Sequence, residues 1–282
     1  MASTDKGFQL IRRGDVACLQ SPLLERCSRI DHAFSTRSGG CSSGAMASLN
    51  TAFHTGDNFD HVLENRRRLL KPFGYRPEEI VAGIQVHGTG ITRVTSKERG
   101  RGASPENFLG ETDALITSEP GVVLTAYAAD CQLLFFVEPQ IPVIAIAHAG
   151  WRGALAGMAR LVVNYLQKHF AVEPSNLIAA ISPAICPQCY RVNEEVAGRF
   201  HDAGWDSAPF VEPDAEGRYK LDLSSINAAQ LRDAGIKEDR LAENSWCTAC
   251  RPDLFYSYRR ERGVTGRMMG FLAIKPERSR AT

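Results

Sequence analysis

The stretch "VIAIAHAGWRGALAGMARLVVNYL", Val143 to Leu166, decides the fold class. Its first half is an apolar run of the kind a strand buried on both faces carries, and it stops at His148. Gly150, Trp151, Arg152 and Gly153 make a turn, and from Gly153 to Phe170 apolar residues recur at helical spacing. A buried strand feeding directly into an amphipathic helix predicts a mixed α and β domain.

Working outward, "LLFFVEPQIPVIAIAH" reads as two strands joined by a turn at Glu138 to Pro142, and "GVVLTAYA" and "DALIT" extend the sheet core back to Asp113. "DHAFSTRSGG", residues 31–40, is a short strand entering a Gly/Ser loop. "DNFDHVLENRRRLLKPFG" is a helix, capped by Asp57, Asn58 or Asp60 and ended by Pro72 and Gly74, with Asn65 to Arg68 as a solvated face. "EIVAGIQVHG" predicts a strand ending on His87 and Gly88. Residues 97–111, "KERGRGASPENFLGE", read as a surface loop because strands resume on either side, so residues 1–282 are expected to form a single domain. Beyond the central unit come a strand in "LIAAISPAI", helices in "NEEVAGRFHDAG" and "LSSINAAQLRDAGI", and a closing strand in "RMMGFLAIKP".

The net charge of +1, from 33 Lys and Arg against 32 Asp and Glu, supplies no field to collect nucleic acid or an anionic membrane. The longest apolar run is interrupted by Asp130 before it reaches the roughly 20 residues a membrane helix needs. "MASTDKGFQLIRRGD" lacks the apolar segment of a secretory signal, which points to the cytoplasm and to eight reduced cysteines, read as thiols or metal ligands.

His87, Cys131 and His148 share one context: each stands where an apolar run gives way to small or polar residues. Side chains at separate strand ends of one sheet can converge in a cleft. Two imidazoles and a thiolate suit zinc, with a fourth position open for water or substrate, as in catalytic zinc sites. The same residues also suit a cysteine hydrolase or deamidase, with Cys131 as nucleophile, His148 or His87 as base and Asp130 as orienter. A non-catalytic metal-binding protein is the third reading, and spacing alone does not choose among them.

The ordered motifs "STRSGG", "SLN", "ENRRRL", "QVHG", "TDALIT", "AADC", "AHAGWRG", "SPAIC..CY", "LDL", "CT" and "FYSYRR...TGR" closely resemble the laccase-domain or YfiH family, from about Phe34 to Ile274. The resemblance implies a zinc site at His87, Cys131 and His148. It implies an α+β fold, a layered α/β/β/α sandwich with mixed sheets, related to the cysteine-dependent deamidase toxins. It also implies a purine nucleoside enzyme: phosphorolysis of adenosine, inosine, guanosine and methylthioadenosine, and hydrolytic deamination of adenosine. Its partners would be purine nucleosides and phosphate; oligomeric state is not implied. The polyphenol oxidase (laccase) label attached to the family fits poorly, because seven histidines include no His-x-His pair and one tripod cannot hold a blue-copper centre plus a trinuclear cluster. Zinc is therefore favoured over copper.

Within that framework Asp130 is the acid/base candidate by proximity, or else caps local backbone. Arg37, in a loop of glycines and serines, is the candidate phosphate ligand. Gln85 shares the strand face of His87 and is placed to touch substrate or to bond along the strand edge. Arg152 opposes the dipole of the helix it begins, so it calls for an anionic partner. Tyr190 and the run Tyr256 to Arg260 are candidates for base stacking or phosphate contacts. Cys186 and Cys189 with Cys247 and Cys250 form two Cys-x-x-Cys elements, but the 57 residues between them exceed the gap of compact zinc knuckles. They are expected to be reduced thiols supporting the site.

Overall fold

The computed structural model describes residues 7–205 and 210–276. Two six-stranded mixed sheets face each other. The first runs in the order Gln9–Arg13, Val16–Gln20, Ile30–Ser35, Met268–Ile274, Val123–Ala128 and Ile80–Val81. The second runs Leu241–Ala242, Ile178–Ile181, Gln132–Glu138, Val143–Ala149, Ala114–Thr117 and Ile91–Arg93. A small third sheet joins Arg191–Val192, Tyr219–Leu221 and Val211–Pro213.

Period-2 alternation explains the layering. In Gln132–Glu138, Leu133, Phe135 and Val137 enter the core between the sheets, while Leu134 and Phe136 face the opposite way. The outer partners of Leu134 and Phe136 include Val162, Val163 and Leu166 of helix Met158–Phe170 and Leu231 of helix Leu223–Asp233. On the far side, Leu69 and Leu70 of helix Phe59–Leu70 pack on Val123, Tyr127 and Phe271. The expected α/β/β/α sandwich is thus the observed one. The two sheets approach closely at Gly270, where an added Cβ would meet Leu133 Cδ1 at 2.6 Å and Phe135 Cζ at 2.9 Å. Truncating a fully buried aromatic such as Phe135 to alanine costs about 3–5 kcal/mol.

Four local expectations change. The helix after the turn is two helices, Trp151–Leu155 and Met158–Phe170, because Gly157 at φ +82° breaks the chain direction. The strand expected through His87 is only Ile80–Val81, and the segment through Gly88 is irregular. The run Asn65 to Arg68 is not uniformly solvated: Asn65 and Arg66 are fully buried, and only Arg67 is exposed. Arg66 donates to Thr51 O and Gly102 O at 2.7 and 2.6 Å and lies over the rings of Phe53 and Tyr127. Distant carbonyls take its Nε and Nη1 and ring faces cover the guanidinium, while Nη2 is left without a hydrogen-bond partner among the described residues; helical spacing reveals none of these contacts. Finally, the hairpin Gln9–Arg13 with Val16–Gln20 was not anticipated; it forms an antiparallel pair at the edge of the first sheet.

Candidate metal centre and cavity

His148 ends strand Val143–Ala149 with the same parity as Ile144 and Ile146, which enter the core between the sheets. It is 3% exposed, its Nδ1–H donates to Asp113 Oδ1 at 2.9 Å, and its backbone N–H donates to Asp113 O at 2.7 Å. A carboxylate can only accept here, so Nδ1 carries a proton and Nε2 is the nitrogen turned toward the other donors, free to ligate a metal once its own proton is displaced. The same carboxylate accepts the backbone N–H groups of Val86, His87 and Gly88 at 3.2, 3.1 and 2.8 Å. That is why the chain leaves the sheet at this point: three successive amides turn inward to one anion instead of pairing along a ladder. His87 takes φ +59°, and its ring stands edge-on to His148 with centroids 4.8 Å apart. Desolvation pushes the Asp113 carboxyl up, but His148 and these amides outweigh it and hold the group below its usual range.

Cys131 follows Asp130, which has φ +89°, in the short link between strands Val123–Ala128 and Gln132–Glu138. Desolvation by itself raises a thiol; hydrogen bonds with His148 and His87 reverse this and bring Cys131 down to about 6. Burial opposes charge on His148 too, yet Asp113 and Cys131 lift it to about 9. One donor atom from each of His87, Cys131 and His148 lies within 4.8 Å of the other two. The tripod also dictates a glycine: a Cβ on Gly150 would sit 2.9 Å from His87 Cδ2 and 3.0 Å from Cys131 Sγ. A depressed thiol, a carboxylate-oriented imidazole and a convergent third donor fit a metal ion.

The tripod borders a cavity of about 830 Å³. Asp130, Gln85 and Tyr190 line it with the three donors. Asp130 is anchored: Thr248 Oγ1–H donates to its Oδ1 and the Arg259 backbone N–H to its Oδ2, both at 2.7 Å. Gln85 spends its amide on the backbone of Tyr127, donating to its carbonyl at 2.9 Å and accepting its N–H at 2.8 Å, which is the strand-edge role. The Tyr190 ring lies under the Arg259 guanidinium at 5.0 Å.

Two expected substrate residues lie elsewhere. Arg37 is a loop pin, not a cavity cation: it pairs with Glu261 at 3.0 Å, donates to Ala47 O and Pro252 O, and covers the Tyr256 ring. Its charge is already met, which removes the reason to expect phosphate there. Arg152 does not line the cavity; its guanidinium rests on the Trp151 ring at 4.4 Å, and it makes no ion pair among the described residues.

Other lining residues were not singled out from sequence. His54 and Arg267 border the cavity, as do Pro105 and Phe108 from the expected surface loop, which therefore forms part of the wall. Partial burial of its ring, with the charges of Arg267 and Arg66 adding, holds the His54 imidazole below its usual range. Arg267 stands in the "TGR" motif and Asp113 in "TDALIT", so both lay in recognised motifs without a role. The four cysteines Cys186, Cys189, Cys247 and Cys250, expected as reduced thiols supporting the site, converge with sulfurs within 4.8 Å of one another. Among the described residues, these and the tripod are the two groups of three or more His, Cys, Asp or Glu side chains able to hold a metal.

Residues 31–275 match the family described as multi-copper polyphenol oxidoreductase laccase. The chain is 37% identical over 272 residues to purine nucleoside phosphorylase YlmD of Geobacillus stearothermophilus, covering 96% of this chain and 98% of that protein. It is 35% identical over 239 residues to purine nucleoside phosphorylase YfiH of Escherichia coli, covering 84% and 91%. The crystal structure of YlmD from Geobacillus stearothermophilus superposes with a TM-score of 0.89 at 36% identity, covering 95% of this chain and 99% of that one. With that match across nearly its whole length, and with His87, Cys131 and His148 of the expected motifs gathered on one cavity, this chain belongs to the laccase-domain (YfiH) family.

Proposed function

We propose that this chain is a zinc-dependent purine nucleoside phosphorylase, acting on adenosine, inosine, guanosine and methylthioadenosine, that also deaminates adenosine hydrolytically. The observation that carries the reading is the placement of the His87, Cys131 and His148 tripod on a cavity that Arg259 and Arg267 also line. Relatives named purine nucleoside phosphorylases support it. The cavity volume lies within the roughly 300–1,000 Å³ typical of small-ligand sites.

Bound at the tripod, zinc would supply Lewis acidity and an acidified water. Asp113 holds His148 in the ligand tautomer and fixes the turn that delivers His87. Phe53, Tyr127 and Tyr190 offer ring faces for a purine, and Arg259 and Arg267 offer forked donors for phosphate. In phosphorolysis a phosphate oxygen bonds to C1′ as the bond from C1′ to the purine breaks, and the neutral His54 imidazole can donate one hydrogen bond to the departing base. In deamination a water oxygen bonds to C6 as the bond from C6 to the amino nitrogen breaks, and Asp130, with its direction set by Thr248 and Arg259, moves a proton from that water to the leaving ammonia. The reading is tested by incubating the zinc-loaded protein with adenosine, with and without phosphate, and following adenine, ribose 1-phosphate and inosine. Adenine release that depends on phosphate is expected; adenine release indifferent to phosphate contradicts it.

One observation favours a second reading. Cys131, brought down to about 6 beside two imidazoles, is also a competent thiolate nucleophile. A cysteine hydrolase of this kind keeps its activity in chelator and loses it on thiol alkylation. Neither reading uses a membrane, and no helix among the described residues is long and apolar enough to cross one.

A further inference from the structure

The 57-residue gap between the two Cys-x-x-Cys elements is bridged by strand pairing. Strands Ile178–Ile181 and Leu241–Ala242 are parallel neighbours, with Ala179 opposite Leu241 and Ala180 opposite Ala242. The chain therefore leaves the same end of the sheet twice, side by side. Beyond the strands an isolated parallel bridge pairs Ala184 with Cys247, one residue out of the strand register, and the Thr248 N–H donates to Ala184 O at 3.0 Å. The first loop then carries Cys186 and Cys189, and the second Cys247 and Cys250.

The Cys186 backbone N–H donates to Cys247 Sγ at 3.2 Å, and the Cys189 and Cys250 sulfurs are 3.4 Å apart. Backbone amides aimed at a sulfur are a common companion of metal-bound thiolates, because they disperse its charge. Four sulfurs around zinc at about 2.3 Å stand about 3.8 Å from each other, and all four here lie within 4.8 Å of one another. None of the four lines the cavity, so the group has no open side toward substrate.

We propose that Cys186, Cys189, Cys247 and Cys250 bind a second zinc ion in a closed, structural tetrathiolate site. Binding releases the thiol protons to solvent and leaves the cysteines un-oxidised. The ion clamps the two loops that shape one side of the active cavity. Ile185 and Tyr190 of the first loop line that cavity, and the Ile185 N–H donates to Asp130 O at 3.1 Å. Thr248, between Cys247 and Cys250, supplies the hydroxyl that holds Asp130, and Arg260 donates to Thr248 O at 2.8 Å. The ion thus acts as a positioning device for Asp130, the neighbour of Cys131.

The test counts zinc in protein purified under reducing conditions and reads the donor atoms by X-ray absorption at the zinc edge. Two equivalents are expected in the unaltered chain. The double variant His87→Ala/His148→Ala should retain one equivalent, surrounded by sulfur alone, and this result is independent of any nucleoside activity. Cys189→Ser/Cys250→Ser should also retain one, with mixed nitrogen and sulfur neighbours. Because the cysteine variant could unfold, the sulfur-only shell in the histidine variant is the deciding readout. A histidine variant free of zinc overturns the proposal, as does a disulfide between the two elements in the reduced preparation, found by peptide mapping.

Discussion

The two side-chain groups differ in donor number and in what faces them. The tripod has two imidazoles and one thiolate, and its fourth side opens onto a cavity of about 830 Å³. The cysteine group has four thiols, and none of them reaches the cavity. Three donors with an open side suit chemistry, and four without one suit holding loops together. The difference lies also in their support: Asp113 organises the tripod through one side chain, whereas strand register assembles the cysteine group.

The contrast can be broken most sharply at His148. His148→Ala should lower phosphate-dependent nucleoside cleavage by at least about 1,000-fold, a barrier increase of about 4 kcal/mol, while zinc at the cysteine group persists. Steady-state kinetics beside metal analysis checks both. Asp113→Asn keeps the size of the side chain but removes its charge, so it should cost about 10–100-fold in metal affinity or turnover. Competition with a zinc chelator measures that loss, and an unchanged affinity would remove Asp113 from its organising role.

A third imidazole sharpens the point about carboxylate support. His32 is also buried, but its Nε2 accepts from the Ser21 N–H at 2.8 Å, and among the described residues no carboxylate pairs with its ring. Burial, aided by the charge of Lys275, pulls it down to about 3, against about 9 for His148. The folded-state value lies below the unfolded one, so the unfolded chain binds more protons between the two. Stability contributed by His32 is therefore present above about pH 6.5 and is lost as pH falls toward 3, at up to about 1.4 kcal/mol per unit. Urea unfolding at pH 7 and pH 5 should differ by about 2 kcal/mol from this group, and His32→Gln should flatten that dependence. The smallest expected effect separates two arginines. Arg267→Ala should raise KM for phosphate about tenfold, as expected for losing a charged hydrogen bond, whereas Arg37→Ala should leave that KM unchanged.

The central sheet was legible in the sequence because Gln132–Glu138 and Val143–Ala149 carry near-continuous apolar runs, as strands buried on both faces do. His148 and Cys131 were legible for the same reason, as polar interruptions of apolar runs. Asp113 was not: a lone aspartate before a strand reads as a turn residue, and its four partners lie 25 to 35 residues away. Arg37 misled because a Gly/Ser loop looks like an anion cradle, while its actual partner Glu261 is 224 residues downstream. The cysteine pairing was hidden by counting residues along the chain, when parallel strand neighbours cancel that distance.

The most direct test of the central claim is adenosine turnover by the zinc-loaded protein, with and without phosphate, before and after chelation. The account predicts adenine and ribose 1-phosphate in equal amounts, only when phosphate is present, with activity lost on zinc removal and restored by zinc. Turnover that survives complete zinc removal and is abolished by alkylating Cys131 would contradict it.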